Sequence, residues 1–241
     1  MELIAHRGLS ARAPENTLAA LRLALDERAD GVEWDVQASA DGVPILLHDD
    51  TLDRTTDGSG RAGGYTLAEL RSLDAGSWFD SSYGGQPIPS LAEALALTAG
   101  RCERIYPELK AGMGGPVIER VVDEIAAAGW SEGATVISLD WDALAEVRRR
   151  SGLRIGFIVE RAEDFERAVD LARGDGNAIV DPDRRVLLAD PAKAALATSE
   201  GVPLASWTVN DPDEAAALLA MGVRGLTTDD VGALRAGVEG A

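Results

Sequence analysis

Residues 2–36 read ELIAHRGLSARAPENTLAALRLALDERADGVEWDV, and this stretch decides the fold class. A short apolar run ends at His6, and a glycine turn follows. ENTLAALRLALDER then places apolar residues three and four apart, the period of a helix with one buried face. GVEWDV resumes as a second strand. A strand, a helix and a strand in that order make a βαβ unit, which sets the two strands parallel in one sheet.

The same rhythm recurs down the chain. Strand candidates are RIYPELK (104–110), TVISL (135–139), RIGFIV (154–159), NAIV (177–180), PLASWTV (203–209) and RGLTT (224–228). Helices between them include PVIERVVDEIAAAG (116–129), WDALAEVRRRSG (141–152) and DPDEAAALLAMG (211–222), several stopping at glycine. Eight such units in 241 residues match the size of a closed (β/α)8 TIM barrel, a single domain over 1–241. An open doubly wound sheet is the runner-up, but no glycine-rich nucleotide fingerprint follows any strand.

VPILLH (43–48) is a ninth strand candidate. Only ASADG separates it from GVEWDVQ, too short for a parallel crossover, so the two pair antiparallel. Asp41-Gly42 signals a two-residue turn; centred there, it sets Asp35 opposite His48. Pro44 suits the free edge of such a flap. Residues 50–89 then break the rhythm with glycine, serine, a short helix and the aromatics Trp78, Phe79 and Tyr83. A connection of that length in a compact domain reads as a small insertion over the C-terminal mouth. Its aromatics are expected to pack onto the barrel and line one side of the entrance.

Composition bounds the function. Hydrophobic residues make up 46% and charged residues 27% of the chain, an ordinary globular balance. Acidic residues outnumber basic ones 41 to 23, a net charge of −18, which disfavours nucleic acid and stable association with anionic membranes. No apolar run approaches the ~20 residues of a membrane span, no secretory signal is visible, and Cys102 is alone. A cytoplasmic protein without disulfides is the expectation. The oligomeric state stays open.

Only two histidines occur, His6 and His48, and each ends an apolar run. Along GVEWDV, Glu33 and Asp35 share one face while Val32, Trp34 and Val36 share the other. The apolar face suits the outer helices, so both acids face the barrel interior. Two carboxylates ~6.6 Å apart along a strand repel unless a proton or a cation joins them. In YPELK, Glu108 and Lys110 repeat the device. In a barrel of this kind, groups that do chemistry collect at the C-terminal ends of strands, where both histidines, the three acids, Arg7 and Lys110 all fall. Three hard-oxygen donors suit Mg2+ or Ca2+.

Motifs in order along nearly the whole chain carry a resemblance: AHRG (5–8), PENT (14–17), EWD (33–35), DGVPILLHDDTLDRTT (41–56), IPSLAEAL (88–95), ELK (108–110), SLD (138–140), SWTVN (206–210) and GLTTD (225–229). The sequence resembles the glycerophosphodiester phosphodiesterase family, whose members are phospholipase C-like TIM barrels. Pro107 and the charged stretch VDPDRRVLLADP (180–191) depart from the family pattern. The resemblance implies hydrolysis of a small glycerophosphodiester to an alcohol and sn-glycerol 3-phosphate, with one divalent cation, Mg2+ or Ca2+, as cofactor. It implies His6 and His48 as the acid/base pair and Glu33, Asp35 and Glu108 as metal ligands. Arg7 and Lys110 become phosphate contacts, and Trp207 an apolar wall for the glycerol carbons. Glu15 and Asn16 open the first helix, where Asn16 reads as a cap and both can support Arg7. Asp229 reads as another cap, before VGALRAG.

Two other functions fit some of these residues. A barrel could bind a phosphorylated polyol without turning it over, but a binder needs no proton-transfer pair. A lysophospholipase D-type enzyme would need an apolar groove, to which Trp78 and Phe79 could contribute.

Overall fold

The computed structural model describes residues 1–240. Its strands are β1 (Glu2–Ala5), β2 (Gly31–Ala38), β3 (Pro44–Leu46), β4 (Arg104–Leu109), β5 (Thr135–Ser138), β6 (Arg154–Val159), β7 (Ala178–Pro182), β8 (Ala205–Ser206) and β9 (Gly225–Thr228). The helices are α1 (Leu18–Asp26), α2 (Leu67–Leu70), α3 (Leu91–Thr98), α4 (Gly115–Ala127), α5 (Trp141–Arg150), α6 (Phe165–Asp175), α7 (Arg184–Ala189), α8 (Pro191–Ser199), α9 (Pro212–Ala220) and α10 (Val231–Glu239).

Eight strands run parallel in the order β7-β6-β5-β4-β2-β1-β9-β8. The two ends of that path meet where Val180 bridges Leu204 and Val180 N donates to Pro203 O at 3.0 Å. The result is the expected (β/α)8 barrel. Side-chain alternation sorts the core into two shells. Leu3, Val32, Trp34, Val36, Phe157 and Leu226 point outward into the layer shared with the helices. Ile4, Tyr106, Ile137, Ile158, Ile179 and Ala205 fill the barrel itself. Each large apolar side chain buried this way contributes about 1.5–3 kcal/mol.

β2 and β3 form the expected antiparallel hairpin, but its register is one residue away from the expected one. Val36 lies opposite Leu46 and Gln37 opposite Ile45, and Leu47 N, not His48 N, donates to Asp35 O at 3.1 Å. The turn explains the shift. Gly42 N donates to Ser39 O and Ser39 N to Val43 O, each at 3.0 Å, and Gly42 sits at φ 71°. This is a three-residue loop with its left-handed residue at Gly42, rather than a two-residue Asp41-Gly42 turn. Asp41 is used otherwise, its Oδ1 accepting from Ser39 Oγ (2.7 Å) and Leu67 N (2.9 Å). Nor is the far edge of β3 free: Leu46 N donates to Pro89 O at 2.9 Å and Ile45 bridges Ser90.

Residues 50–89 fold back onto that hairpin. Leu52, Ala62, Leu70, Ala75 and Ile88 form a satellite core with Ile45 and Leu47. The three aromatics lie outside this core in an edge-to-face series, Trp78–Phe79 at 5.7 Å and Phe79–Tyr83 at 5.9 Å between centroids. Tyr83 ties the series to the barrel through its hydroxyl, which donates to Arg12 O at 2.9 Å, while Trp78 is 39% exposed. They pack onto the barrel but do not line the central cavity described below, so aliphatic residues rather than these rings anchor the segment.

Candidate active site

The end of β1 sets the first functional group. Arg7 (φ 55°) and Gly8 (φ 80°) both adopt the left-handed conformation. A Cβ on Gly8 would lie 2.5 Å from the carbonyl carbon of Ala20, so only glycine fits beneath α1. The turn aims Arg7 N at Glu33 Oε2, 2.7 Å away. Asn16 also takes the left-handed conformation (φ 58°) and does not cap the helix. Thr17 does, its hydroxyl accepting from Ala20 N at 3.2 Å. Asn16 instead holds β2, donating from Nδ2 to Asp35 Oδ2 (2.8 Å) and accepting from Asp35 N at Oδ1 (3.0 Å).

Glu33, Asp35 and Glu108 bring one carboxylate oxygen each within 4.8 Å of one another. Glu33 and Asp35 are 3% and 0% exposed, as the alternation along β2 requires. Burial first, then the charges of Asp35 and Glu108, push the Glu33 carboxyl well above the usual range. Burial and Asp35 also raise Glu108, with Lys110 opposing. Burial opposes ionisation of Asp35 too, but Arg7 and Lys110 outweigh it and hold Asp35 low. Lys110 Nζ bridges Glu108 Oε1 (2.8 Å) and Asp35 Oδ1 (3.2 Å). Arg7 Nε lies 3.2 Å from Asp35 Oδ2 without the alignment to donate to it. The trio is thus an all-oxygen donor set, and Glu33 Oε1 is buried with no protein partner.

Both histidines reach the same cavity, and both are held alike. His6 Nδ1 donates to Asp229 Oδ1 at 2.7 Å, and His48 Nδ1 to Asp49 Oδ1 at 2.6 Å. In each ring Nε2 remains as the nitrogen available to a ligand. Asp229 also accepts from Ser10 Oγ (3.0 Å) and Asn210 Nδ2 (2.6 Å). Burial works against its charge, but His6 and these donors hold it at about 2. The expected cap role belongs to the next residue: Asp230 Oδ1 accepts from Ala233 N at 3.0 Å at the start of α10.

Arg54 joins the two sides of the site. Its guanidinium donates from Nε to Asp49 Oδ2 (2.6 Å) and from Nη1 to Glu15 Oε2 (2.8 Å), and Glu15 Oε1 accepts from Arg7 Nη1 at 2.8 Å. A continuous series therefore runs Arg7–Glu15–Arg54–Asp49–His48. Glu15 supports Arg7 as its position suggests, although it precedes α1 rather than opening it. Asp49 and Arg54 lie in HDDTLDRTT, and the acid directly after His48 is the sequence signal for Asp49; His6 has no acid beside it in sequence. Asp181 is the other residue sequence reasoning missed; two positions beyond inward-facing Ile179, the same alternation turns it into the barrel.

These groups line a cavity of about 80 Å3, with His6, His48, Glu33, Glu108 and Lys110 on one side and Ile137, Ile158 and Trp207 on the other. Trp207 is fixed by its Nε1, which donates to Asp181 O at 3.0 Å. A cleft of about 330 Å3 opens beside it, sharing Leu139, Ile158 and Glu160.

Fold and mouth together define the class: a phosphodiesterase built on a TIM barrel. The chain belongs to the glycerophosphoryl diester phosphodiesterase family, whose model matches residues 6–233. It is 31% identical to a glycerophosphodiester phosphodiesterase from Caldanaerobacter subterraneus subsp. tengcongensis, over 95% of this chain and 93% of that one. Among solved structures it is similar to an Oleispira antarctica phosphodiesterase in complex with the product sn-glycerol-3-phosphate. The TM-score is 0.92 at 30% identity, covering 99% of this chain and 97% of the other. A glycerophosphodiester phosphodiesterase from Agrobacterium tumefaciens superposes with a TM-score of 0.82 at 26% identity, covering 98% and 99%. Among the described residues, no helix is long and apolar enough to cross a membrane.

Proposed function

We propose that this chain hydrolyses glycerophosphodiesters to an alcohol and sn-glycerol 3-phosphate, with His6 and His48 transferring protons and Glu33, Asp35 and Glu108 holding one divalent cation. One observation carries the reading. Two histidines, each with Nδ1 tied to a carboxylate, share a cavity with a buried carboxylate trio. A site that only bound a phosphate would have no use for that pairing.

The donor set fits the cation. Three carboxylates supply hard oxygens, and Glu33 Oε1, buried and unpartnered, is costly to leave so. Bound there, Mg2+ or Ca2+ would neutralise charge on the phosphoryl oxygens. Arg7 and Lys110, which line the same cavity, add fixed positive charge that need not reorganise as the transition state forms. With Nδ1 engaged, Nε2 of one histidine takes a proton from the attacking oxygen, and Nε2 of the other gives one to the departing alkoxide. Asp229 and Asp49 fix each ring and stabilise its protonated form. The indole of Trp207 and the side chains of Ile137 and Ile158 offer the glycerol carbons an apolar wall.

The test is a substrate panel of simple glycerophosphodiesters and a lysophospholipid, with and without chelator, scored by release of sn-glycerol 3-phosphate from the diesters and of the acylated glycerol phosphate (lysophosphatidic acid) from the lysophospholipid. Chelator-sensitive release from the simple diesters is the expected result. Activity confined to the lysophospholipid would assign a lysophospholipase D-type substrate instead, and no turnover of any diester would overturn the enzymatic reading.

A further inference from the structure

Asp181 has no part in the chemistry above, yet it faces the site. It lies on β7, is 2% exposed, and lines the central cavity together with Ile137, Ile158, Glu160 and Trp207. Its Oδ1 is buried with no protein hydrogen-bond partner. A buried polar atom left unpaired costs about 1–3 kcal/mol, so a fold that keeps one beside a ligand cavity has a use for it there.

The surroundings narrow that use. Arg7, Lys110 and the histidines lie on the opposite side of the cavity, and among the described residues no cation pairs with Asp181. Burial first, and the charge of Glu108 second, raise its carboxyl to about 8, towards the form that can both donate and accept a hydrogen bond. A buried carboxyl with no cation beside it is poorly suited to a phosphate or a metal ion. It matches a hydroxyl, which also donates and accepts. The cavity of about 80 Å3 is several times what one water needs and leaves room for a three-carbon polyol.

We infer that Asp181 is a specificity-determining residue that hydrogen-bonds a free hydroxyl of the substrate's glycerol, selecting diesters whose three-carbon unit keeps that hydroxyl. Trp207 and the two isoleucines contact the carbons, and Asp181 reads the oxygen. The inference rests on the proposed phosphodiesterase activity. A site built to pair with a hydroxyl rejects the analogue lacking it, because its own polar group is then left unpaired.

The experiment compares a glycerophosphodiester with its two deoxy analogues, which carry propane-1,2-diol or propane-1,3-diol in place of glycerol. The wild type should favour the glycerol compound over at least one analogue by roughly 10–100-fold in kcat/KM. Asp181→Leu should bring that ratio to within about 3-fold, and Asp181→Asn, which still donates and accepts, should keep most of it. A wild-type ratio near one overturns the inference without any variant. So does a ratio left intact in Asp181→Leu, or one lost equally in both variants. If no diester is turned over, the activity reading fails, and binding of sn-glycerol 3-phosphate and its deoxy analogues to the wild type, by calorimetry, decides the inference separately: equal affinities overturn it.

Discussion

Asp229 accepts a 2.7 Å hydrogen bond from His6 Nδ1 across 223 positions of sequence. His6 follows β1 and Asp229 follows β9, and these strands pair in parallel with Ala5 opposite Thr228. Barrel closure therefore joins the first histidine of the chain to an acid near its end. Asp229→Asn should lower kcat by roughly 10–100-fold with little change in KM, because the ring stays but loses the anion that orients it. His6→Ala should cost about 10²–10⁴, and the double variant little more, since the two act as a unit. Steady-state kinetics checks this; wild-type turnover in Asp229→Asn would make the hydrogen bond purely structural.

Cation binding should depend on Glu33 more than the fold does. Glu33→Gln removes one charge from a crowded set in which Glu33 is already pushed towards protonation. Titration calorimetry with Mg2+ or Ca2+ should show affinity falling at least tenfold while the melting temperature holds or rises. Unchanged affinity would remove Glu33 from the ligand set.

Arg54 should act on the reaction without touching substrate. Its fork between Asp49 and Glu15 sets both His48 and Arg7. Arg54→Ala should reduce kcat about tenfold, and Arg54→Lys should recover only part, because an ammonium cannot reproduce two planar pairs. Arg54 itself is 44% exposed, so little change in melting temperature is expected. A large thermal loss with normal kcat would assign Arg54 to stability alone.

The pH dependence of stability without metal has a definite sign. Glu33, Glu108 and Asp181 are all raised, so the folded chain keeps protons that the unfolded chain has lost. Their contribution is full below about pH 4 and disappears as pH rises, for Asp181 through about 8. Asp229 runs the other way: held at about 2, it contributes above about pH 4 and loses that contribution as pH falls through its folded value. Chelated protein should therefore melt lower at pH 8.5 than at pH 6, by about 2–4 °C for each kcal/mol lost. Added Mg2+ or Ca2+ should narrow the gap. Thermal melts at the two values, with and without metal, are the check, and a gap that metal leaves untouched would separate the acids from cation binding.

Replacing residues 58–86 with a short linker tests what that segment does. The satellite core it shares with Ile45 and Leu47 lies directly before His48, so its removal should loosen His48. We expect a folded barrel that still binds metal, with kcat lowered across the whole substrate panel. A changed ratio between small and bulky head groups, with kcat preserved on one of them, would show instead that the segment selects substrate.

Much of this site is legible from local pattern. Glu33 and Asp35 alternate with Val32, Trp34 and Val36, and a strand's period of two leaves one way to bury the apolar set. The helix–strand rhythm likewise selects the barrel. Local pattern leaves the hairpin register ambiguous by one residue, because a glycine at position 42 serves a two-residue or a three-residue loop equally well. Contacts from Leu67 and Pro89, far along the chain, favour the longer one.

What the sequence by itself determined is therefore periodic: which residues face in, which strands run parallel, and which end of the barrel gathers the acids and histidines. Tertiary structure decided the partners. Asp229 and Asp230 are adjacent acids before a helix, and only the closure of β1 against β9 makes one a histidine partner and the other a cap. Asn16 looks like a cap until β2 places the backbone of Asp35 against it. Asp181 is an ordinary acid on a strand until the barrel closes around it and buries it against the cavity. A hydrogen bond or a burial cost depends on which atoms meet in space, and local periodicity carries no information about atoms two hundred residues away.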